Sequence, residues 1–293
     1  MSVIRPAREN DLPQIHQVFY QNEVRGIKSP SSPGNVPPTS RHILHTGSMY
    51  VAEQDGQILA FAGAITRSTT TFLTDLFVHP EAQSSGLGKM LLERAFPQDE
   101  LIHCTMSSTD PRAQALYIRS GMQPKFPNFN LQWDGTLPEN LPDSSIEVVE
   151  GDAADPALIQ WDAEVSGRER RQDHVFWVKE QQAVPLWFLR NKATIGYGYV
   201  RLNVETLWYP QVCKVGPIGV NSPEHATDCV LAAINWAYKQ AEVVSIDVPG
   251  PHPCLATLLD SGFRIIYVEL FVSNETRPFF DAERYIPSGS SLL

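Results

Sequence analysis

The 293 residues hold 23 Lys/Arg against 33 Asp/Glu, a net charge of −10, with 42% hydrophobic and 19% charged residues. This balance fits a folded, water-soluble chain of one or two domains, and it argues against a nucleic-acid partner, which needs basic surface to meet phosphates. No run approaches ~20 apolar residues, so no membrane partner is expected, and Met1-Ser2-Val3-Ile4-Arg5-Pro6 lacks an apolar signal core, so a cytoplasmic protein is expected.

The acidity is uneven. Residues 1–140 hold 11 basic and 13 acidic side chains, residues 141–293 hold 12 and 20. An acidic half attracts a cationic amine, and equally it keeps a protein soluble. Cys104, Cys213, Cys229 and Cys254 lie far apart without a C-x-x-C pair. They read as core thiols in a reducing compartment, with no metal site.

In chain order, residues 3–6 read as a strand. A helix starts at Asn10-Asp11, with Leu12, Ile15, Val18 and Phe19 on one face. Residues 28–40 are rich in proline and serine and read as a substrate-side or surface loop. Residues 49–53 and 58–66 form a hairpin about Asp55-Gly56, and 71–78 is a strand rich in β-branched and aromatic residues. A helix over 86–95 and a strand over 101–106 follow. Asp110-Pro111 opens the next helix and Ser120-Gly121 ends it. Residues 126–133 are the last strand of this half, and 135–145 a linker.

The second half repeats the plan. Ile146-Glu147-Val148-Val149 matches Val3-Ile4-Arg5-Pro6, and Asp152-Ala153-Ala154-Asp155 matches Arg8-Glu9-Asn10-Asp11. A helix, paired strands, a strand over 215–220, a helix over 223–239, a strand over 243–248 and a helix ending at Ser261-Gly262-Phe263 follow. An internal duplication accounts for this order. The tail over 281–293 is left open between packing on the body and mobility.

The segment that carries chemistry runs from Asp75-Leu76-Phe77-Val78 through His79 and Glu81 to Gln83-Ser84-Ser85-Gly86-Leu87-Gly88-Lys89. A strand passes through a turn into a helix N-terminus, whose first amides lack internal partners and meet the positive end of the dipole; that is an anion site. Gly86 and Gly88 clear side chains from the backbone, and the Ser84 and Ser85 hydroxyls are further donors. A structural turn alone would also explain a lone G-x-G. His79 and Glu81 read as surface loop residues.

The wider context adds Asp110-x-x-Ala113-x-x-Leu116-Tyr117-x-x-x-Gly121. With Gln83-x-x-Gly86-x-Gly88, residues 3–133 resemble the GNAT superfamily of acyl-CoA-dependent N-acetyltransferases. Asp110 replaces the usual Asn and Met122 the usual Phe. An ionised Asp110 cannot donate a hydrogen bond to a pantetheine arm.

The resemblance implies acetyl-CoA as cosubstrate. Its pyrophosphate would lie on residues 83–89, and its pantetheine against the backbone of Leu76, Phe77 and Val78, with Asp110, Ala113 and Tyr117 nearby. A backbone N–H near Val78 would face the thioester oxygen. Tyr117 would be the general acid for the thiolate, against its alternative as a core aromatic. Asp75 is a candidate base, against a solvated strand-end carboxylate.

The second half looks like a degenerate copy, similar to the C-terminal GNAT-like domain of tandem acetyltransferases. Aligning Ser261-Gly262 with Ser120-Gly121 sets Leu258 opposite Tyr117 and Pro251 opposite Asp110, and no glycine lies between Val220 and Pro249. Asp162, Glu164, His174 and Tyr197 are polar residues to follow there, and Trp161, Trp177 and Trp187 read as packing.

The expected fold is α+β: two tandem GNAT-like domains, each a mixed, mostly antiparallel sheet flanked by helices, over 1–134 and 146–280. The expected function is direct acetyl transfer to a small primary amine or amino-acid-like acceptor, by a monomer (a pseudo-dimer) or homodimer. A non-enzymatic acyl-CoA sensor and an acyltransferase using longer acyl chains are the alternatives.

Overall fold

A computed structural model describes residues 2–28, 30, 32–96, 101–134, 141–142, 144–204 and 212–293. Most of the expected linker over 135–145, and two serines of the 28–40 loop, lie outside the described residues. The contacts divide the chain into two compact units that part between Thr105 and Met106. The expected boundaries lay at 134 and 146.

In the first unit, β1 (Val3–Pro6), β2 (Ser48–Gln54), β3 (Gln57–Arg67) and β4 (Thr70–Val78) pair antiparallel in that order, and β5 (Ile102–Ser107) joins β4 in parallel. Left-handed Asp55 and Gly56 (φ 52° and 80°) make the two-residue β2–β3 turn, the geometry that matches strand twist. Helix α1 (Leu12–Glu23) buries Leu12, Ile15 and Val18, the apolar stripe visible in the sequence. Helix α3 (Leu87–Ala95) buries Leu87, Leu91, Leu92 and Ala95.

Helix α2 (Pro38–Thr46) corrects the reading of 28–40 as a loop, because the helix begins inside it. Its prolines sit before and at the first turn, where no amide partner is lost. Only Ile43 of this helix is buried. Arg67 closes its far end, donating to the Thr46 carbonyl at 3.0 Å and to the Thr46 hydroxyl at 2.9 Å.

The second unit contains α4 (Pro111–Arg119), β6 (Gln123–Asp134), β7 (Glu147–Glu150), α5 (Pro156–Ser166), α6 (Arg171–Gln181), β8 (Ala183–Arg190) and β9 (Ala193–Val204). It continues with β10 (Val212–Val220), α7 (Ala226–Ala237), β11 (Val243–Pro249), α8 (Cys254–Asp260), β12 (Arg264–Ser273) and β13 (Tyr285–Ile286). Strands β7 to β11 repeat the pairing of β1 to β5: three antiparallel contacts, then a parallel one. This is the duplication expected from sequence, carried by topology.

Strand β6 departs from it. Expected to close the first half, it lies between β11 and β12, antiparallel to both, with Leu131 paired to Ile246 on one side and Ile265 on the other. The tail packs: β13 adds to β10 at Ile218 and Gly219, and Leu292 and Leu293 are buried. The apolar centre of this unit joins Leu131 of β6 to the buried faces of β8–β11, α7 and α8.

Candidate functional site

The site is built at the end of β4. Pairing with β5 runs from Thr70–Ile102 to Leu73–Thr105 and stops there, while β4 continues to Val78 beside β3. Leu76, Phe77 and Val78 therefore lie on a strand with its β5-side edge unladdered. Phe77 stacks on Phe61 at 5.6 Å and meets Phe19 of α1 edge-on at 5.1 Å, fixing the face of the strand. The Val78 carbonyl accepts from Asn22 at 3.1 Å and from Gln83 at 3.4 Å.

Within β4 the register shifts: Ala64 faces Leu73 and Gly63 faces Asp75, so Thr74 is an extra residue, a β-bulge. Asp75 is partly buried, and its carboxylate accepts from the Thr74 hydroxyl at 2.8 Å. Burial pushes its pKa up to about 6, and the Thr74 hydrogen bond works against that rise. Such a carboxylate is charged at neutral pH and takes a proton readily.

Beyond Val78 the chain turns. His79 Nδ1 accepts from the Glu81 amide at 3.3 Å over the short helical turn Pro80–Ala82. Gln83 points inward and braces the loop, donating to Asn22 at 3.0 Å and accepting from Arg25 at 2.9 Å. Ser84 and Gly86 are both left-handed (φ 65° and 89°). The Ser85 hydroxyl donates to the Ala82 carbonyl at 2.6 Å, so its proton holds the loop instead of facing outward as a free donor.

Gly86 is the N-cap of α3, and no side chain caps the first turn. The amides of Leu87, Gly88 and Lys89 precede the first α-type bond, Met90 to Gly86, at 3.2 Å. A Cβ on Gly86 would meet no atom of the described residues within 4 Å, chain neighbours aside, so the space beside Gly86 is open. Lys89 is exposed, 3.8 Å from Glu93. Uncapped amides, a dipole end and open space together fit an anion.

Asp110, Ala113 and Tyr117 belong to the second unit. Asp110 caps α4, accepting from the Arg112 amide at 2.8 Å, and pairs with the Arg112 guanidinium at 2.6 Å. Its oxygens serve the helix. Tyr117 is the buried residue of α4, 6% exposed, and its carbonyl accepts from Met122 at 3.1 Å where Gly121 (φ 90°) ends the helix.

Among the second-half residues, Asp162, His174 and Tyr197 converge in a buried network. Asp162 holds Arg170 at 2.6 Å, His174 at 3.0 Å and the Tyr197 hydroxyl at 2.5 Å. Burial alone would raise the Asp162 pKa, but the Arg170 charge and these hydrogen bonds drive it well below the usual range. Arg170 lies 4.8 Å over Trp177. Trp161 meets Trp187 edge-on at 6.2 Å. Glu164 is exposed.

Sequence reasoning missed Asn22 of α1 and Arg25 of the turn after it, which brace Gln83, and the pair Thr74 and Gly63. Nothing in residue type or spacing marks them, because each acts across a strand pair or a helix–loop contact. Among the described residues no His/Cys/Asp/Glu group could hold a metal ion.

This order of elements, a parallel pair that stops short followed by a glycine turn into a helix, is that of the GNAT fold, present here in tandem. Residues 45–123 match the family model described as an acetyltransferase (GNAT) domain. No curated protein matches the chain. Among solved structures, a putative acetyltransferase from Pyrococcus horikoshii superposes with a TM-score of 0.75 at 15% identity, over 99% of this chain and 95% of that one. A tandem GNAT protein from the clavulanic acid biosynthesis pathway gives 0.65 at 17% identity, over 93% and 98%. A GCN5-related N-acetyltransferase from Sphaerobacter thermophilus gives 0.64 at 13%, over 96% and 97%. At these identities the likeness is one of fold.

Proposed function

We propose that the protein is an acetyl-CoA-dependent N-acetyltransferase that transfers the acetyl group directly to a small primary amine or amino-acid-like acceptor. The uncapped start of α3 behind left-handed Gly86, inside the GNAT-matching segment, carries this reading. It offers backbone donors and open space to a pyrophosphate, and the unladdered stretch of β4 offers backbone to an amide-bearing arm.

Three chemical needs follow. An alkylamine of pKa near ~10 is only about one part in a thousand neutral at pH 7, so a base speeds attack, typically by ~10²–10⁴. Asp75 serves as that base: with a pKa of about 6 it is mostly ionised at pH 7 and accepts the proton that nitrogen loses as it attacks the carbonyl carbon. The oxyanion is met by a backbone N–H near Val78, and Tyr117 protonates the departing thiolate.

Among the described residues, the second repeat does not repeat the features that carry this reading. The edge of β10 past its parallel pairs with β11 is taken by β13, and no glycine turn follows β10 before α7. Acetyl-CoA with a panel of primary amines and a thiol reagent tests the proposal. Amine-dependent release of free CoA is expected. Saturable acetyl-CoA binding with no release across the panel would favour a non-enzymatic sensor.

A further inference from the structure

We infer that Thr74 is a positioning residue for Asp75, made possible by the bulge in β4 and by the missing side chain at Gly63. The inference rests on the reading of Asp75 as the base and adds what aims it. In a regular strand, neighbouring side chains point to opposite faces and cannot bond to each other. Thr74 and Asp75 do bond, at 2.8 Å, because the extra residue in β4 turns both toward the same face. Both lie over Gly63 of the facing strand. A Cβ there would stand 2.7 Å from the Thr74 hydroxyl oxygen, 3.2 Å from Asp75 Oδ2 and 3.2 Å from Ile43 of α2. Gly63 is thus a notch that both side chains fill.

Among the described residues, the Thr74 hydroxyl is the hydrogen-bond donor to the carboxylate. Strand β3 presents glycine to it and α2 presents Ile43. On α2, Arg41 and His45 turn to Glu9, and His42 lies beside Thr46. On α1, His16 is held on the Pro33 carbonyl at 2.6 Å, and Glu23 responds only to its own burial. Burial and the Thr74 hydroxyl are the influences on Asp75, and no charged neighbour among the described residues contributes. A hydroxyl that donates to the ionised form stabilises it and orients one oxygen, leaving Oδ1 to receive the proton.

The test is a ¹³C-carboxyl titration of Asp75 in the full chain, assigned with Asp75→Asn, alongside the pH dependence of kcat/KM. Thr74→Val keeps the shape and removes the donor. It should raise the Asp75 midpoint by about half to one pH unit, and the acid limb of kcat/KM should follow. Thr74→Ser should restore both. Gly63→Ala should shift the midpoint in the same direction as Thr74→Val, by pushing the hydroxyl off. An unchanged Asp75 midpoint in Thr74→Val would overturn the inference. Full turnover in Asp75→Asn would overturn the base reading instead, and the titration would still decide whether Thr74 positions the carboxylate.

Discussion

Tyr117 is 6% exposed on a helix whose other residues are more open, so its ring packs whatever its hydroxyl does. Tyr117→Phe keeps that packing, and the fold and melting temperature should hardly change. Thiolate is a tolerable leaving group, since thiol pKa values lie near ~8.5, so loss of the acid should slow the reaction without stopping it. A ~10²-fold fall in kcat is expected from single-turnover and steady-state rates, with less than about 1.5 kcal/mol lost in acetyl-CoA affinity. Undiminished turnover would make Tyr117 a packing residue only. At this scale the sequence was legible wherever backbone chemistry dictates residue type: Gly121 is left-handed at the end of α4, and Asp110 caps its start. It was silent on Thr74 and Asn22, whose roles depend on partners across space. It also gave Ser85 an outward donor that the fold spends on Ala82.

Most helices and strands came out of the sequence by their periods, and the β2–β3 hairpin by its turn, but α2, the second of the two helices α5 and α6, and the longer-range pairings did not. Strand β6 has the same alternation whichever strands it pairs with, so nothing local says that it lies between β11 and β12. Helix α2 was hidden because its start, Pro38 to Ser40, belongs to the proline- and serine-rich stretch that reads as a loop. The tail, left open in sequence, is tied down by polar contacts. The Leu293 main-chain oxygen accepts from Arg168 at 3.0 Å and from Arg170 at 2.5 Å, Arg201 donates to the Ser288 carbonyl, and Ser290 donates to Glu269 of β12 at 2.6 Å. Deleting 287–293 strips acceptors from three buried guanidiniums, and a loss of roughly 3 kcal/mol or more is expected from denaturant melts.

The same contacts give a pH signature. Burial first, and Asp247 second, push the Glu269 carboxyl up to about 7, against the Ser290 hydroxyl, Lys214 and Asn128. Its folded pKa exceeds the unfolded value near 4.5, so the native state holds more protons between those values. Stability from this group is full below about 4.5 and is lost as pH rises through about 7. Glu269→Gln should flatten that fall in melts recorded from pH 5 to 8. An unaltered slope would mean that Glu269 is not the group responsible.

Across the whole molecule, two copies of one strand order have taken different paths. β1–β5 and β7–β11 pair alike, yet the first copy ends in an open glycine turn at α3, and the second has its matching strand edge covered by β13. The duplication was legible from Ser120-Gly121 and Ser261-Gly262, and the absence of a glycine turn after β10 from the sequence itself. The covering strand was not legible, because a two-residue pairing carries no period. On the proposed function, this asymmetry predicts one acetyl-CoA per chain. Calorimetric titration of acetyl-CoA into the full chain, repeated with Gly86→Val, tests that claim most directly. Valine at Gly86 meets no protein atom at its Cβ but must adopt a left-handed φ of 89° and intrudes on the space over the helix amides, so the fold should survive while binding fails. One site per parent chain, abolished in the variant, is the expected result. Two equivalent sites, or a folded Gly86→Val that binds as tightly as the parent, would contradict the account.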